Sequence, residues 1–437
     1  NAVGGNRSIL FRQNLSGTIQ LASALPNIST NISILGPGKD SITVRRNTGG
    51  NYRIFTITNA TATGPVVTIS GLTITNGRAP FAAFPSNSGG GIFNNRGTLT
   101  LSDCALLSNA SDSSSGGWGG GLLNLGASAI VDRCTFADNT AENGGAATNL
   151  RNPVNNSQGT LWIRNSTISG NQAINGGGIY NVSESDGVEL RLINSTVSGN
   201  TATGLGGGVY SRGVNGSGVA TVFLNDCTFN GNSAASDGGG LYNSIASGGS
   251  AQAYLKSNIF KTGGNGPNVT NVGGSVTSTG YNLTNDQSGF TSATGDIRNT
   301  DPMLGPLASN GGPTQTHALL AGSMAIDHGD AFVLSPLDQR GFFHVGTNDI
   351  GSYEYNGIEL RIISITRNGN NVIVKFNAAA QRTFRLERKT DVSLGTWQSI
   401  PGVSDLTPSA NGAATITDPG AIPLGHAFYR VRYIPPF

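Results

Sequence analysis

A short glycine tract recurs along the first half of the chain at intervals close to 30 residues. Each tract has three small residues and is followed by two mostly apolar residues and, in most cases, an asparagine. The tracts are Gly89–Gly91, Gly119–Gly121, Gly144–Ala146, Gly176–Gly178, Gly206–Gly208 and Gly238–Gly240. A regular period of this length is typical of solenoids, in which each repeat stacks on the next and buries a shared core. The repeat therefore predicts a stack of similar coils.

Short strands are predicted between the glycine tracts. Residues 160–164 and 188–193 alternate between polar and apolar side chains, which is the pattern of a strand with one buried face. Three short strands in a repeat of about 30 residues make one coil, and parallel pairing stacks such coils about 4.8 Å apart. Parallel crossovers are almost always right-handed. We therefore predict an all-β fold, with a right-handed single-stranded parallel β-helix over residues 1–356.

Asparagine marks a second fixed position in each coil, about 20 residues after the glycine tract. The residues concerned are Asn76, Asn109, Asn139, Asn171, Asn200 and Asn232. Asparagine tolerates a left-handed backbone, and stacked amides can hydrogen-bond to one another from coil to coil. We predict that these six side chains form a structural ladder, called the Asn ladder below.

The composition is typical of an ordered extracellular protein. The chain has 65 glycines in 437 residues, and its 37% of hydrophobic residues is too high for a disordered chain. A net charge of +2 with scattered cations predicts no nucleic-acid partner, and no apolar run is long enough to predict a membrane span. The many small polar residues predict a secreted protein, extracellular or at the cell surface. We expect that an export signal was removed before Asn1.

Four short motifs follow the repeats. They are Gly280-Tyr281-Asn282-Leu283, Asp301-Pro302-Met303-Leu304-Gly305, Asp338-Gln339-Arg340-Gly341 and Asp349-Ile350-Gly351-Ser352-Tyr353-Glu354. With these motifs, residues 8–356 resemble secreted bacterial proteins that contain a choice-of-anchor Q domain, within the pectin-lyase-like β-helix superfamily. The resemblance implies a β-helix and secretion, and it implies no catalytic residues. Such proteins have a cap before the first strand, so we expect that the cap was cleaved, lies outside this sequence or is replaced by another chain.

A different pattern begins at residue 357. Residues 358–362 and 372–376 alternate and flank an Asn-Gly turn, which predicts a hairpin. Further alternating runs predict a small antiparallel β-sandwich over residues 357–437, called the tail below. Residues 358–437 carry nine Lys and Arg against five Asp and Glu, so this tail is basic. Trp397 is a candidate glycan contact, with burial in the core of the sandwich as the alternative.

Three cysteines occupy one register position of the coils, where Ser166 and Ser195 stand in other coils. This pattern predicts a buried column of small residues. Cys104 and Cys134 fall on successive coils, about 4.8 Å apart, which is a separation that a disulfide tolerates. A disulfide between these two and a pair of free thiols are the alternatives. Cys227 is predicted to be free.

The titratable residues do not predict a catalytic centre. Glycoside hydrolysis needs two carboxylates at a fixed separation, whereas the acidic residues of the repeats are scattered. Asp103, Asp132 and Asp226 are assigned to one register position, which Asn165 and Asn194 occupy in other coils, so a row of solvated turns is predicted, with an acidic ridge as the alternative. The four histidines, at positions 317, 328, 344 and 426, lack the spacing of zinc ligands. We therefore predict no metal and no cofactor.

The sequence favours a non-enzymatic extracellular or cell-surface protein with a structural or adhesive role. Its predicted partners are further copies of itself, joined head-to-tail into filaments or side by side, and a cell-surface or matrix polysaccharide. The alternative is a polysaccharide lyase or glycoside hydrolase that acts on an extracellular polysaccharide, because parallel β-helices are common among such enzymes. Fold alone does not establish that activity.

Overall fold

The computed structural model describes residues 7–12, 14–47, 50–59, 64–111, 116–152, 157–264, 266–331, 335–390, 396–419 and 427–435. Within these ranges every regular element is a β-strand. The strands form three long parallel sheets, here named A, B and C, and several short antiparallel sheets. A typical coil contributes one strand to C, then one to A, then one to B, before a loop leads into the next coil.

The strands of the three sheets follow one another along the chain. Sheet A contains Arg7–Leu10, Ile32–Leu35, Val66–Ser70, Thr98–Ser102, Ser128–Asp132, Gly159–Arg164, Gly187–Ile193, Val219–Asn225, Ser250–Lys256 and Ser275–Ser278. Sheet B contains Gly17–Leu21, Ile42–Arg46, Thr73–Thr75, Ala105–Leu107, Thr135–Ala137, Thr167–Ser169, Gln172–Ala173, Thr196–Ser198, Thr201–Ala202, Thr228–Ala234, Ile259–Thr262 and Leu283–Thr284. Sheet C contains Phe55–Ile57, Ile92–Asn95, Leu122–Leu125, Ala147–Leu150, Ile179–Ser183, Val209–Gly213, Leu241–Ile245 and Val269–Val272. The predicted right-handed parallel β-helix of about 30 residues per coil is confirmed.

The core of the β-helix consists of columns of aliphatic side chains that stack from coil to coil. One column in sheet A pairs Leu101 with Val131, Val131 with Ile163, and Ile163 with Leu192. All four side chains are buried. Successive side chains of a strand point to opposite faces, so the residues next to these four point outward, toward solvent. Burial of apolar surface along the whole rod is the main force that holds the coils together.

The glycine tracts lie where the chain turns into sheet C. The first glycine of each tract has a φ between 62° and 72°, the left-handed region that favours glycine. The second glycine lies against the next coil: a Cβ on Gly120 would be 2.4 Å from the carbonyl oxygen of Thr140 and 2.5 Å from that of Gly145. Backbone conformation and close approach therefore both require glycine here.

Residues 301–356, here named the closing segment, cross the outer side of sheet B. The side chain of Gln339 accepts a hydrogen bond of 2.7 Å from the Thr196 hydroxyl. Further along, the backbone N–H of Ser352 donates to the Thr228 hydroxyl at 3.1 Å. The closing segment contains one antiparallel pair, Leu304–Ala308 with Thr316–Leu319, and Phe342–Phe343 pairs with Ile358–Glu359 beyond its end. It therefore covers several coils on one side of the rod.

The tail consists of two small antiparallel sheets packed face to face. One contains Ile362–Asn368, Asn371–Ala378 and Gly412–Asp418, and the other contains Gln398–Ser399, Thr383–Lys389 and Phe428–Ile434. Their core includes Phe376 and Phe384, and Phe343 of the closing segment contributes a third ring, 5.6 Å from that of Phe384. The boundary at residue 356 stays a prediction, although this contact ties the tail to the chain before it.

Replacing Gly120 with alanine is expected to destabilise the β-helix, because the added methyl group overlaps two carbonyl oxygens. Overpacking of this kind costs about 1–3 kcal/mol. Gly187→Ala is the matched control, since a Cβ there would meet only the end of Gln158, at 3.5 Å. Urea unfolding followed by circular dichroism measures both variants. Equal stability of the two would contradict the steric explanation of the repeat.

Candidate functional site

The Asn ladder runs inside the turn that follows sheet B. The amide oxygen of Asn139 accepts hydrogen bonds from the backbone N–H and the side-chain amide of Asn109, at 2.9 and 3.0 Å. The Asn139 Nδ2 also donates to the Leu106 carbonyl at 2.9 Å. The same arrangement continues through Asn171, Asn200 and Asn232. These side chains are buried, so they satisfy backbone groups of the turns and do not face a ligand.

The assignment of Asn76 to this ladder is wrong. Thr75 pairs with Leu107, so Asn76 shares the register of Ser108, and both residues have a positive φ. Gly77 lies at the ladder position, and its N–H donates to the Asn109 amide oxygen at 2.9 Å. The reason is local: an Asn-Gly pair fits the turn with asparagine in the left-handed position and glycine in the ladder position.

A second buried asparagine ladder lies in the strands of sheet C, beside the turn into sheet A. Asn94 donates to Asn124, Asn124 to Asn149, and Asn149 to Asn181, each at 2.9 Å between the side-chain amides. In most coils this asparagine comes after a glycine tract and two apolar residues, so the sequence contains a signal for this ladder too. Its role, like that of the first ladder, is to satisfy polar groups inside a turn.

The possible disulfide between Cys104 and Cys134 is not formed: of the two alternatives, the structure has the pair of free thiols, and Cys227 is also free. The Cys104 and Cys134 side chains point the same way, each toward the carbonyl two residues earlier, at 3.2 and 3.3 Å. The Cys104 N–H donates to the Cys134 sulfur at 3.4 Å, so the thiols belong to a polar column like the asparagines. Burial raises the pKa of the Cys134 and Cys227 thiols. Such thiols are poor nucleophiles.

The common register predicted for Asp103, Asp132 and Asp226 is wrong for Asp132. Asp132 pairs with Ser102 at the end of sheet A, and Arg133 takes the position of Asp103. The Arg133 guanidinium contacts the Asp103 carboxylate at 2.7 Å and the Asp132 carboxylate at 2.6 Å. These acids are therefore paired with a cation at a surface turn and do not face each other across a cleft.

A cluster of titratable groups lies where the closing segment meets the rod, and we name it the seam cluster. The His344 Nδ1 lies 2.8 Å from a carboxylate oxygen of Glu354. The Lys256 ammonium contacts the Asp330 carboxylate at 2.6 Å, close to the buried Asp226. The closing motifs also supply Asp338 and Arg340, which form an ion pair of 2.6 Å, and Asp349, which accepts a hydrogen bond of 2.8 Å from the Asp327 N–H. Sequence spacing gave no signal for this cluster.

Burial shifts the pKa values of the seam cluster. Burial raises the pKa of Asp226 to about 7, although His344 and Lys256 oppose the shift. Burial, and then the charge of Glu354, raise the pKa of Asp349 to about 7. Burial alone would lower the pKa of His344, but the hydrogen bond with Glu354 and the negative charges of Glu354, Asp338 and Asp226 together outweigh it, and the pKa is raised. Asp226, Asp349 and His344 are therefore protonated more readily than the free side chains would be.

The other histidines are dispersed. His317 is buried, and its ring contacts the Ser198 hydroxyl at 2.9 Å and the Gly305 carbonyl at 2.7 Å. His328 is exposed, and His426 lies outside the described residues. Among the residues that the structure describes, no group of three or more His, Cys, Asp or Glu side chains could hold a metal ion.

Trp397 lies beside an edge strand of the tail and is half-buried. The guanidinium of Arg430 stacks over its ring, 4.8 Å from the centroid. The side chain is thus at the surface of the sandwich, next to a cation.

The outer side of the first coil, at the N-terminal end of the described β-helix, is an apolar surface, here named the apolar end. A cavity of about 340 Å3 there is lined by aliphatic and aromatic side chains, among them Ile9, Phe11, Ile19 and Leu21. Ile9 is 48% exposed and Ile19 is 42% exposed. Of the described strands, only Ile32–Leu35 pairs with Arg7–Leu10, so Arg7–Leu10 is the described edge strand of sheet A. Such an edge is a template for pairing with another chain.

In the described ranges there is no helix of the length and apolarity that a membrane span requires.

Asn139→Ala is expected to lower the free energy of unfolding by about 1–3 kcal/mol or more, because it leaves the buried Asn109 N–H without its acceptor. Asn225→Ala is the control, since Asn225 is only partly buried on the outer face of sheet A. Urea denaturation gives both values. A loss for Asn225→Ala as large as that for Asn139→Ala would rule out a special role for the ladder.

Stability is expected to fall as pH rises from about 4 to about 7, by on the order of 1 kcal/mol per pH unit for Asp226. In this range the unfolded carboxyl is ionised while the folded one, with its pKa raised to about 7, keeps its proton. The raised pKa of Asp349 acts in the same range, and the raised pKa of His344 acts in the same direction above about pH 6.5, the pKa of an unfolded histidine.

Asp226→Asn should flatten this pH dependence, because a neutral amide has no proton to lose. The change suits the backbone, since Asn165 and Asn194 stand at the same left-handed turn position. Asp138→Asn, at an exposed left-handed position, is the control and should leave the slope unchanged. Thermal unfolding across this pH range is the measurement, and equal slopes for wild type and Asp226→Asn would refute the assignment.

Comparison with known proteins gives two similarities. Residues 194–212 and 226–244 match the model of the Chlamydia polymorphic membrane protein repeat, and these stretches run through strands of sheets B and C in successive coils. Among solved structures, the chain is similar to the crystal structure of pectate lyase Pel9A, with 14% sequence identity and a TM-score of 0.38. That similarity covers 80% of this chain and 86% of the other. No curated protein matches the chain.

Proposed function

We propose that the protein is a non-enzymatic extracellular or cell-surface rod with a structural or adhesive role, which associates with further copies of itself. The observation that carries the proposal is the apolar end. Exposed side chains such as Ile9 and Ile19 lie there on the outermost described strands of sheets A and B. Burying them against a second copy would remove apolar surface from water, and strand pairing across the contact would continue the sheets.

The rod itself supports a second copy as the occupant of this end. Sheets A and B end there with Arg7–Leu10 and Gly17–Leu21 as their outermost described strands, and Ile28 forms a parallel bridge to Ile57 at the end of sheet C. A partner must therefore offer several strand edges in the same arrangement around an apolar centre. Another copy of the β-helix has such a cross-section.

Two modes of association satisfy these edges. Head-to-tail stacking continues the sheets of one copy into the next and generates a filament, because a heterologous contact that advances along the rod axis does not close into a ring. Two apolar ends that meet about a two-fold axis give a dimer. Lateral contact between rods would leave the apolar end exposed, so the end-to-end modes are favoured.

The surface location draws support from the repeat match. Residues 194–212 and 226–244 resemble a repeat of a Chlamydia polymorphic membrane protein, which is a membrane protein by its name. The buried asparagine ladders and the seam cluster fit a structural role, because their polar groups satisfy one another inside the fold.

A polysaccharide lyase or hydrolase would need its acids in an open cleft. The described candidate is a cleft of about 440 Å3 lined by Asp296, Asp327 and His328. Asp296 already accepts hydrogen bonds from the backbone of Asn282 and Ala293, at 2.8 and 2.7 Å. Release of reducing ends from acidic polysaccharides, abolished by Asp327→Ala, would replace the non-enzymatic proposal with this alternative.

The double variant Ile9→Lys, Ile19→Lys is expected to abolish self-association, because it places two charges in the apolar end. Val66→Lys with Ile174→Lys is the control, since these residues are 52% and 44% exposed outside the apolar end. Sedimentation velocity over a range of concentrations and negative-stain electron microscopy are the measurements. Filaments or dimers of the wild type and the control, with monomers of the apolar-end variant, are expected. A wild type that stays monomeric at every concentration would overturn self-association.

A further inference from the structure

One sheet of the tail presents a row of arginines on its outer face. In the strands Thr383–Lys389 and Phe428–Ile434, Arg385 pairs across with Arg432, and Glu387 pairs across with Arg430. Phe384 and Leu386 alternate with these residues and are buried in the sandwich core. Strand alternation therefore places the charged residues together on the side that faces away from the core.

The carboxylates on this face do not cancel its positive charge. Glu387 is buried between Arg430 and Arg432, at 2.6 and 3.0 Å. Asp405 forms a two-pronged contact with Arg385, at 2.8 and 2.7 Å. Each acid is thus used to hold an arginine in a fixed position, and the guanidinium groups keep side-chain exposures of 34% to 49%. Arg382 adds a further cation beside them.

These residues surround a cavity of about 580 Å3 at the surface of the tail. Its lining includes Arg382, Arg385, Arg432, Asp405 and Tyr433, so three cations face one anion. We name this cavity and the adjacent Arg430 and Trp397 the arginine face. Arg430 lies two residues before Arg432 on the same strand, and its guanidinium stacks on the Trp397 ring. Trp397 therefore lies beside the row of arginines.

We propose that the arginine face binds an acidic polysaccharide whose sugar units carry carboxylates. The guanidinium fork matches a carboxylate with two parallel hydrogen bonds, which gives geometric selectivity as well as charge. The Trp397 ring, with its apolar body and polar edge, suits the apolar side of a neighbouring sugar ring. This inference rests on the adhesive part of the proposed function and does not depend on self-association.

Other polyanions fit the arginine face less well. Nucleic-acid binding draws on many phosphate contacts, commonly about 6–10, whereas the net excess on this face is small. Attraction to an anionic membrane relies on clusters of about 4–8 mobile cations, whereas Arg385, Arg430 and Arg432 are fixed by carboxylates. Fixed arginines around a small cavity favour a ligand with single carboxylates at regular positions.

The test measures binding of the full chain to alginate, a polymer of uronic acids, by isothermal titration calorimetry. Dextran is the neutral polymer, and vesicles of equal parts phosphatidylcholine and phosphatidylserine are the anionic membrane. We expect binding to alginate that weakens with salt, no binding to dextran, and weaker or no binding to the vesicles. Equal binding to dextran, or stronger binding to the vesicles than to alginate, would overturn the proposal.

Two variants with opposite expected effects on the affinity for alginate test the site. Arg385→Gln with Arg432→Gln should weaken alginate binding roughly tenfold or more, equivalent to about 1.4 kcal/mol. Asp405→Asn should strengthen it, because the variant removes the one negative charge from the lining of the cavity while an amide oxygen can still accept a hydrogen bond from Arg385. Arg367→Gln with Lys375→Gln removes the same charge from the other sheet of the tail and is the matched control. Unchanged affinity in the first variant, or weaker binding in Asp405→Asn, would contradict the assignment.

Trp397→Ala separates a sugar contact from simple attraction between charges. We expect it to weaken binding to alginate while leaving the salt dependence of that binding unchanged, since no charge is removed. Sedimentation velocity of the same samples reports self-association separately. A loss of alginate binding with intact association, or the reverse, therefore shows which of the two proposals fails.

Discussion

Hydrogen bonding between stacked coils is the constraint on which the rest of the structure depends. A strand of the β-helix completes its backbone hydrogen bonds only when another coil lies above and below it, and the same holds for the buried polar groups of the turns. The asparagine ladders extend this requirement into the turns, since the Asn139 amide bridges the coils of Asn109 and Asn171. An unpaired buried N–H costs about 1–3 kcal/mol. The stack is therefore stable in its interior and vulnerable at its ends, which gives the apolar end its significance.

The sequence period was sufficient to predict the fold class and the coil length, because each coil needs the same turn residues at the same places. It was not sufficient to place every residue in register. Asn76 and Asp132 were each assigned one position away from where they lie, because turns of the coils accept asparagine, glycine or a charged residue at adjacent positions. Only strand pairing, such as that of Thr75 with Leu107 and of Asp132 with Ser102, resolves a shift of one residue.

The seam cluster and the arginine face depend on contacts that no local pattern encodes. Asp226 lies more than 100 residues before His344, and they come together because the closing segment folds back across the rod. Sequence motifs drew attention to the closing segment but did not indicate which coil it would cover. In the tail, alternation within a strand predicts one face, yet the pairing of Arg385 with Arg432 requires the cross-strand register. Of the residues of the arginine face, the sequence indicates only Trp397 as a candidate glycan contact, and the structure adds its contact with the Arg430 guanidinium.

The two proposed contacts use different surfaces of one molecule. The apolar end would join copies, while the arginine face would hold a polymer, and Phe343 packs into the tail core and so anchors the tail to the closing segment. Association of copies would place several arginine faces along one polysaccharide chain, so that later binding events become intramolecular. Weak affinity at each individual site is then enough for firm adhesion, because the high effective concentration of the linked sites raises the overall avidity. Loss of the apolar-end contact would therefore reduce adhesion to a polymer surface even where every arginine face is intact.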